Sequence, residues 1–217
     1  MKNYETILFD LDGTLTDPGE GITNSVAYAL NKFGIETPDK TQLYKFIGPP
    51  LIQSFREYFS FSEKDAAHAV KFYREYFKDK GIFENKVYDG IIPMLNVLSR
   101  TKKLIIATSK PEIFAKRIAD KFQLTGYFDF IAGSELDGTR INKDEVIKYA
   151  LNSCNIPVSD KIIMAGDRKY DISGAKKIGI ASIGVLYGYG THEELLSAGA
   201  DYIAETVKKL ETLLISD

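Results

Sequence analysis

The stretch ILFDLDGTLTD, residues 7–17, decides the fold class of this chain. Three apolar residues are followed by Asp10 and Asp12, one residue apart, and then by a Gly-Thr turn. A short apolar run of this kind is typical of a buried strand, and ligands of open α/β sheets bind beyond the carboxyl ends of the strands. We therefore interpret Ile7–Phe9 as a central strand that ends in two carboxylates. Because Asp and Gly also favour turns, the stretch alone leaves a plain strand-to-turn connection open.

The chain beyond residue 86 alternates short apolar runs with helical patterns. Strands are predicted to begin at Leu104, Phe128, Lys161, Ala181 and Asp201. Helices are predicted at 90–100, 111–122, 143–154, 171–178, 193–198 and 207–215. This alternation indicates βα units and a parallel sheet covered on both faces. We therefore predict an α/β fold with a Rossmann-like parallel sheet core.

The segment of residues 17–86 interrupts this alternation. It contains no good strand and three helix candidates, the first of which places on one face Ile22, Val26, Leu30 and Phe33. It also holds 13 of the 26 Phe and Tyr residues of the chain. We therefore predict an inserted all-helical cap domain at 17–86 with its own aromatic core, and an α/β catalytic core domain at 1–16 and 87–217. An insertion after the first strand is placed to cover a site at the strand ends.

Composition narrows the functional classes. The 217 residues are 44% hydrophobic and 27% charged with a net charge of -2, which is typical of a globular protein and argues against a basic nucleic-acid surface. The single cysteine, Cys154, permits no internal disulfide and agrees with a reducing compartment. No apolar stretch approaches the ~20 residues of a membrane span, and the N-terminus does not resemble a signal peptide. We expect a cytoplasmic protein that binds neither nucleic acid nor membrane, and we leave its oligomeric state open.

Polar side chains recur where other predicted strands end. LIIATSK places Thr108, Ser109 and Lys110 just past a strand. IIMAGDRKYD places Asp167 and Asp171 past another. Lys143 stands at the start of the helix after the third strand. Turn or helix-start chemistry explains each of them singly, but it hardly explains all of them in this order. A bound cation would relieve the repulsion between carboxylates crowded at a strand end. Mg²⁺ fits because it takes carboxylate, water and phosphate oxygens.

With these residues in order, the sequence resembles the haloacid dehalogenase superfamily of phosphohydrolases. The four motifs of that family are matched at Asp10–Leu15, Thr108, Lys143 and Gly166–Asp167 with Asp171. The segments TLTDPGEGI, GPPL and TSKP resemble its phosphoglycolate phosphatase-like branch, and the helical insert resembles its small cap. Lys143 departs from the family pattern because no proline follows it. Asp12 makes dehalogenation itself unexpected, since the dehalogenases lack an aspartate there.

The resemblance implies a phosphatase reaction and roles for the aspartates. Asp10 would attack phosphorus and form an aspartyl-phosphate, one recognised form of carboxylate catalysis. Asp12 would protonate the leaving oxygen and then activate water. The resemblance implies Mg²⁺ as the cofactor, held by Asp10, the backbone carbonyl of Asp12 and Asp167. Asp171 would not bind the ion directly, and it would orient metal-bound water or Lys143.

The resemblance also implies where the substrate binds. The phosphoryl oxygens would contact Thr108, Ser109 and Lys143. A rigid Gly-Pro-Pro loop and nearby cations of the predicted cap are candidates for substrate specificity: Lys45, Gly48 and Arg56. These three also fit a surface turn with two solvated cations.

The expected function is a Mg²⁺-dependent phosphatase of small phosphorylated metabolites, with 2-phosphoglycolate as the first substrate by resemblance. A 5′-nucleotidase acting on nucleoside monophosphates is the alternative, in which cap aromatic rings would stack a base instead of forming only the cap core. A sugar-phosphate mutase and a non-catalytic phosphate-binding module are further alternatives. The Gly-rich segment 186–191, LYGYGT, lacks the P-loop lysine pattern, so it predicts no nucleotide site by that route.

Overall fold

A computed structural model describes residues 3–37 and 39–215 of the chain. The chain divides into two compact units, one formed by the segments up to residue 16 and from residue 87 onward, the other by residues 17–86. Residues 1, 2, 216 and 217, which belong to the predicted core domain, and Pro38 of the predicted cap lie outside the described residues. None of the helices in the described part of the chain combines the length and apolarity that a membrane crossing requires.

The strands and helices follow the predicted order, apart from two short strands at Thr16–Asp17 and Lys86–Val87 that the sequence pattern did not predict. The strands are β1 (Thr6–Phe9), β2 (Thr16–Asp17), β3 (Lys86–Val87), β4 (Lys103–Pro111), β5 (Phe130–Ser134), β6 (Ile162–Gly166), β7 (Ala181–Val185) and β8 (Tyr202–Ala204). The helices are α1 (Gly19–Lys32), α2 (Leu51–Phe59), α3 (Glu63–Tyr76), α4 (Ile91–Leu98), α5 (Glu112–Lys121), α6 (Lys143–Ser153), α7 (Lys169–Ile178), α8 (His192–Ala198) and α9 (Val207–Ile215).

Six strands of the first unit form one sheet in the order β5-β4-β1-β6-β7-β8, and neighbouring strands are parallel. The α/β fold with a parallel sheet is therefore confirmed. Ile7, Leu8 and Phe9 of β1 are buried, as expected of a central strand with both faces covered. Leu8 packs with residues of β4, β6 and α6 in one apolar cluster.

The position of β1 between β4 and β6 determines where the polar strand ends meet. Phe9 is in register with Ile106 of β4 and with Ala165 of β6. The residues that follow on all three strands therefore leave the sheet at the same edge. Asp10 and Asp167 come directly after two of these strands, and Thr108 lies near the end of the third.

The second unit consists of α1, α2, α3 and two irregular helical segments. A 3₁₀ segment at Lys40–Phe46, which the sequence pattern did not predict, precedes α2. Ser62 caps the start of α3, because its hydroxyl accepts a hydrogen bond from the Asp65 N–H at 3.1 Å. Its α-helical part ends at Tyr76 and continues as one π-helical turn at Phe77–Gly81.

Aromatic rings pack against each other inside this second unit. The ring centroids of Phe46 and Phe55 are 5.0 Å apart, and those of Phe33 and Phe61 are 4.7 Å apart. Phe46 and Phe55 are buried, so their rings serve as core. This agrees with an aromatic core for the segment, which was the structural explanation for its many Phe and Tyr residues.

Candidate active site

Lys143 joins three elements at the carboxyl edge of the sheet. Its Nζ lies 2.9 Å from Asp10 Oδ1 and 2.7 Å from Asp171 Oδ1, and it donates to the Ala107 carbonyl oxygen of β4 at 3.1 Å. The side chain is only 4% exposed. Burial alone would lower the pKa of Lys143, but the charges of Asp10 and Asp171 raise it above its ordinary value. The lysine of the third motif is therefore a buried, charged group beside the first aspartate.

Asp10, Asp167 and Asp171 form a buried carboxylate cluster. One carboxylate oxygen from each lies within 4.8 Å of the others. Burial and the neighbouring charges of Asp171 and Asp10 hold the pKa of Asp167 well above its usual range. Burial also raises the pKa of Asp171 to about 6, although Lys143 acts in the opposite direction. The cluster therefore carries more negative charge than its surroundings compensate.

Asp171 also lies in the first turn of α7. Its Oδ2 accepts a hydrogen bond from the Arg168 N–H at 3.0 Å, while its Oδ1 faces Lys143. The sequence left two explanations of Asp171 open, namely that it stabilises the start of a helix or that it supports the active site. The structure is compatible with both, because each carboxylate oxygen has a different partner. Its predicted role in orienting Lys143 agrees with this geometry.

Asp167 is held by backbone that follows β7. Its Oδ2 accepts a hydrogen bond from the Tyr189 N–H at 2.8 Å, and its Oδ1 lies 3.5 Å from the hydroxyl of Thr14. Gly13 has a φ of +82°, and a Cβ at this position would lie 2.7 Å from Asp167 Oδ1. A Cβ at Gly188 would likewise lie 2.7 Å from Asp167 Oδ2. Both positions therefore need glycine because the chain passes too close to this carboxyl group for a side chain.

The segment LYGYGT thus has a part in the site that sequence analysis did not assign to it. The available signal was its position, since a Gly-rich segment directly after β7 lies beside the end of β6, which Asp167 follows. A search for phosphate-binding patterns could not find it, because its backbone contacts a carboxylate of the protein.

Asp12 is not one of the three clustered carboxylates and pairs with a different lysine. Its Oδ2 accepts a hydrogen bond from Lys110 Nζ, and the two side chains are 12% and 7% exposed. Burial raises the pKa of Asp12, although the charge of Lys110 acts against that rise. Its other oxygen, Oδ1, is buried and accepts no hydrogen bond from the described residues. The sequence pattern predicts Lys110 just past the end of a strand, but it does not predict the pairing of Lys110 with Asp12.

Thr108 and Ser109 lie on the irregular end of β4. Thr108 is buried, and its hydroxyl accepts a hydrogen bond from the Lys110 N–H at 3.3 Å. The Ser109 carbonyl oxygen accepts one from the Ser134 hydroxyl at 2.8 Å. These residues thus belong to the strand end beside Asp10, and their contact with phosphate stays a prediction.

The three candidate specificity residues belong to the second unit. Lys45 is exposed, and its Nζ lies 4.1 Å from the centroid of the Tyr58 ring. Gly48 has a φ of +103°, and Arg56 is exposed on α2. Their role in substrate choice stays a prediction.

The donor set at the strand ends fits Mg²⁺. Four carboxyl groups, those of Asp10, Asp12, Asp167 and Asp171, face two ammonium groups, those of Lys110 and Lys143. Burial, together with the neighbouring carboxylates, raises the pKa values of Asp12, Asp167 and Asp171. A divalent cation would compensate the charge of the ionised carboxylates in place of protons. All available ligand atoms are hard carboxylate oxygens, which Mg²⁺ prefers.

Comparison with known proteins agrees with this geometry. Residues 7–185 match the family model described as haloacid dehalogenase-like hydrolase. A protein of Pseudomonas aeruginosa named 5′-nucleotidase is 50% identical over 193 residues, which cover 88% of this chain and 87% of that protein. A phosphoglycolate phosphatase of Colwellia psychrerythraea is 25% identical over 219 residues, covering 97% of this chain and 96% of that protein.

A solved structure extends the likeness to the whole fold. The crystal structure of a predicted phosphatase from Clostridium acetobutylicum superposes with a TM-score of 0.94 at 53% identity and 99% coverage of both chains. The order of motifs, the parallel sheet and these relatives lead to the same assignment. The chain belongs to the haloacid dehalogenase-like hydrolases, and within that family it is a phosphatase.

Proposed function

We propose that this phosphatase hydrolyses nucleoside 5′-monophosphates, with Mg²⁺ bound, through an aspartyl-phosphate on Asp10. The observation that carries the mechanism is the contrast between the two carboxyl groups of the first motif. Asp10 forms an ion pair with Lys143 at 2.9 Å, and an ionised carboxylate is the form that attacks phosphorus. Burial raises the pKa of Asp12, which favours the protonated form that an acid catalyst needs.

The reaction has two steps. First, an oxygen of Asp10 forms a bond to phosphorus while the bond from phosphorus to the substrate oxygen breaks. The electron pair of that bond stays on the leaving oxygen, which takes the proton of Asp12. Second, water attacks phosphorus, Asp12 takes a proton from that water, and the bond to Asp10 breaks. Lys143 and Thr108 stabilise the charge on the phosphoryl oxygens throughout.

Mg²⁺ is proposed to be held by Asp10, Asp167 and the backbone carbonyl of Asp12, while Asp171 orients Lys143. The support is that carboxylate oxygens of Asp10, Asp167 and Asp171 lie within 4.8 Å of one another in a buried cluster. When bound, the ion supplies positive charge between the nucleophile and the phosphate.

The choice of substrate rests on the relatives. The 50% identity with the Pseudomonas aeruginosa 5′-nucleotidase favours a nucleoside monophosphate over phosphoglycolate, whose relative shares 25%. This reverses the order of the two substrates that the sequence resemblance alone suggested. Phosphoglycolate stays the second candidate.

Two further proposals concern the domain of residues 17–86 and the location of the protein. The helical unit is proposed to act as the cap. A cytoplasmic location is proposed because the chain has a single cysteine, which agrees with a reducing compartment.

Release of inorganic phosphate tests this function. The purified chain is assayed with Mg²⁺ and with EDTA on nucleoside 5′-monophosphates, 2-phosphoglycolate and sugar phosphates. We expect Mg²⁺-dependent release that is fastest from the nucleotides. Fastest release from phosphoglycolate would overturn the substrate proposal and keep the mechanism. Conversion of a sugar phosphate to its isomer without net release would point to a mutase.

Replacement of the nucleophile tests the covalent step. Asp10→Asn should abolish both phosphate release and the acid-stable trapping of labelled phosphate on the protein. Asp137→Asn, an exposed aspartate on the loop before α6, is the matched control and should retain both. Unchanged turnover in Asp10→Asn would show that the covalent mechanism is wrong.

A further inference from the structure

The ion pair between Lys110 and Asp12 has a consequence for the direction in which Asp12 acts. Lys110 Nζ donates to Asp12 Oδ2, and both side chains are largely buried. The opposite oxygen, Oδ1, is buried and accepts no hydrogen bond from any described residue. The contact with Lys110 thus engages one of the two Asp12 oxygens and leaves the other without a partner among the described residues.

The backbone around Lys110 is held in place at several points. The register between β4 and β5 shifts between Ala107 and Pro111, so the ladder does not determine this segment. Instead, the Lys110 N–H donates to the Thr108 hydroxyl at 3.3 Å, and Ser134 of β5 donates to the carbonyl oxygen of Ser109 at 2.8 Å. The peptide group between Ser109 and Lys110 is thus held by hydrogen bonds with the hydroxyl groups of Thr108 and Ser134.

The loop that carries Asp12 is also closed by hydrogen bonds, in this case between backbone groups. The Gly13 N–H donates to the Thr16 carbonyl oxygen at 2.7 Å, and the Leu15 N–H donates to that of Leu11 at 2.9 Å. With both backbones held, the contact between the two side chains decides how the Asp12 carboxyl group is turned. Lys143 does not take this role, since its ammonium lies between Asp10 and Asp171.

We propose that Lys110 is a positioning residue that holds Asp12 by Oδ2 and so fixes the orientation in which the Asp12 carboxyl group meets the leaving oxygen. The proposal rests on the proposed function, in which the bond from phosphorus to the leaving oxygen breaks as that oxygen takes the Asp12 proton. A leaving alkoxide needs this proton, whereas a nitrophenolate leaves without it. Lys110 should therefore matter for alkyl phosphates and much less for activated aryl phosphates.

The test compares two substrates in Lys110→Met, which keeps an unbranched side chain one heavy atom shorter and removes its charge. kcat/KM is measured with a nucleoside 5′-monophosphate and with p-nitrophenyl phosphate, because it reports the steps up to phosphoenzyme formation. We expect a fall of about 10²-fold for the nucleotide, the size of an acid-catalysis contribution, and only about threefold for the aryl ester. The ratio of the two values does not depend on the fraction of protein that folds.

Three further variants make the result interpretable. Asp12→Asn should show the same selective loss, Lys110→Arg should recover part of the nucleotide rate, and the exposed Lys148→Met should change neither substrate. Equal losses on both substrates in Lys110→Met would overturn the proposal and leave the phosphatase mechanism intact. No Mg²⁺-dependent release by the wild-type chain from either substrate would overturn both.

Discussion

Gly188→Ala should impair this enzyme through a single added methyl group. A Cβ at position 188 would lie 2.7 Å from Asp167 Oδ2 and closer still to the Gly13 carbonyl oxygen and to Asp167 Cβ. Unstrained contacts of this kind lie at about 3.5 Å, so the neighbours would have to move by about 1 Å. The Gly13 carbonyl oxygen is a backbone atom and Asp167 Cβ is the first atom of its side chain, so neither can move away by side-chain rotation. Asp167 itself must therefore shift.

The size of the effect follows from that displacement. A misplacement of about 1 Å in a catalytic group costs on the order of 10²-fold in turnover. Mg²⁺ also demands near-ideal ligand geometry, so a shifted Asp167 should weaken its apparent affinity. Overpacking by one methyl group typically costs about 1–3 kcal/mol of unfolding free energy. For a chain of this length that corresponds to a fall in Tm of roughly 2–12 °C.

The assay measures kcat, the Mg²⁺ concentration at half-maximal rate and Tm for Gly188→Ala and for a matched control. Gly126→Ala is the control, because a Cβ there would meet no atom within 4 Å and its φ lies outside the left-handed region. It should keep wild-type turnover and Mg²⁺ dependence. If Gly188→Ala retained kcat within about twofold together with an unchanged Mg²⁺ dependence, close packing by this glycine would not be what positions Asp167.

Three further predictions test the surroundings of the site. Lys143→Met removes the buried ammonium between Asp10 and Asp171, so it should cost about 3–5 kcal/mol in denaturant unfolding and abolish turnover; a loss below about 1 kcal/mol would contradict the buried ion pairs. Asp201→Ala leaves the buried Ser182 N–H and hydroxyl, bonded at 2.8 and 2.9 Å, without their acceptor, so it should cost about 1–3 kcal/mol with kcat unchanged. Because burial raises the pKa of Asp171 to about 6 from 3.8, the metal-free folded chain binds more protons than the unfolded chain in that window and loses stability as pH rises through it. Mg²⁺ needs the deprotonated carboxylates, so the gain in Tm on adding it should be larger near pH 8 than near pH 5; an equal gain would argue against this cluster as the metal site.

Local patterns in the sequence were enough to predict the fold class and most elements. The apolar run Ile7–Phe9 predicted a buried central strand, and β1 is flanked on both sides by parallel strands. Helix boundaries agreed within a few residues because apolar periodicity and capping residues such as Ser62 act over one or two turns. The 3₁₀ segment at Lys40–Phe46 was missed because so short a segment has no strong periodicity.

Within the site, the sequence determined which residue types stand at the strand ends, and their order alone sufficed to identify the family. Tertiary structure decided which of them touch. Lys110 and Asp12 are 98 positions apart in the chain, and Tyr189 reaches Asp167 from 22 positions away. These pairings depend on the order of strands in the sheet and on the course of the loops above it. The raised pKa values of Asp12 and Asp167 arise in the same way, because burial and facing charges exist only once the chain is folded, and no local pattern encodes them.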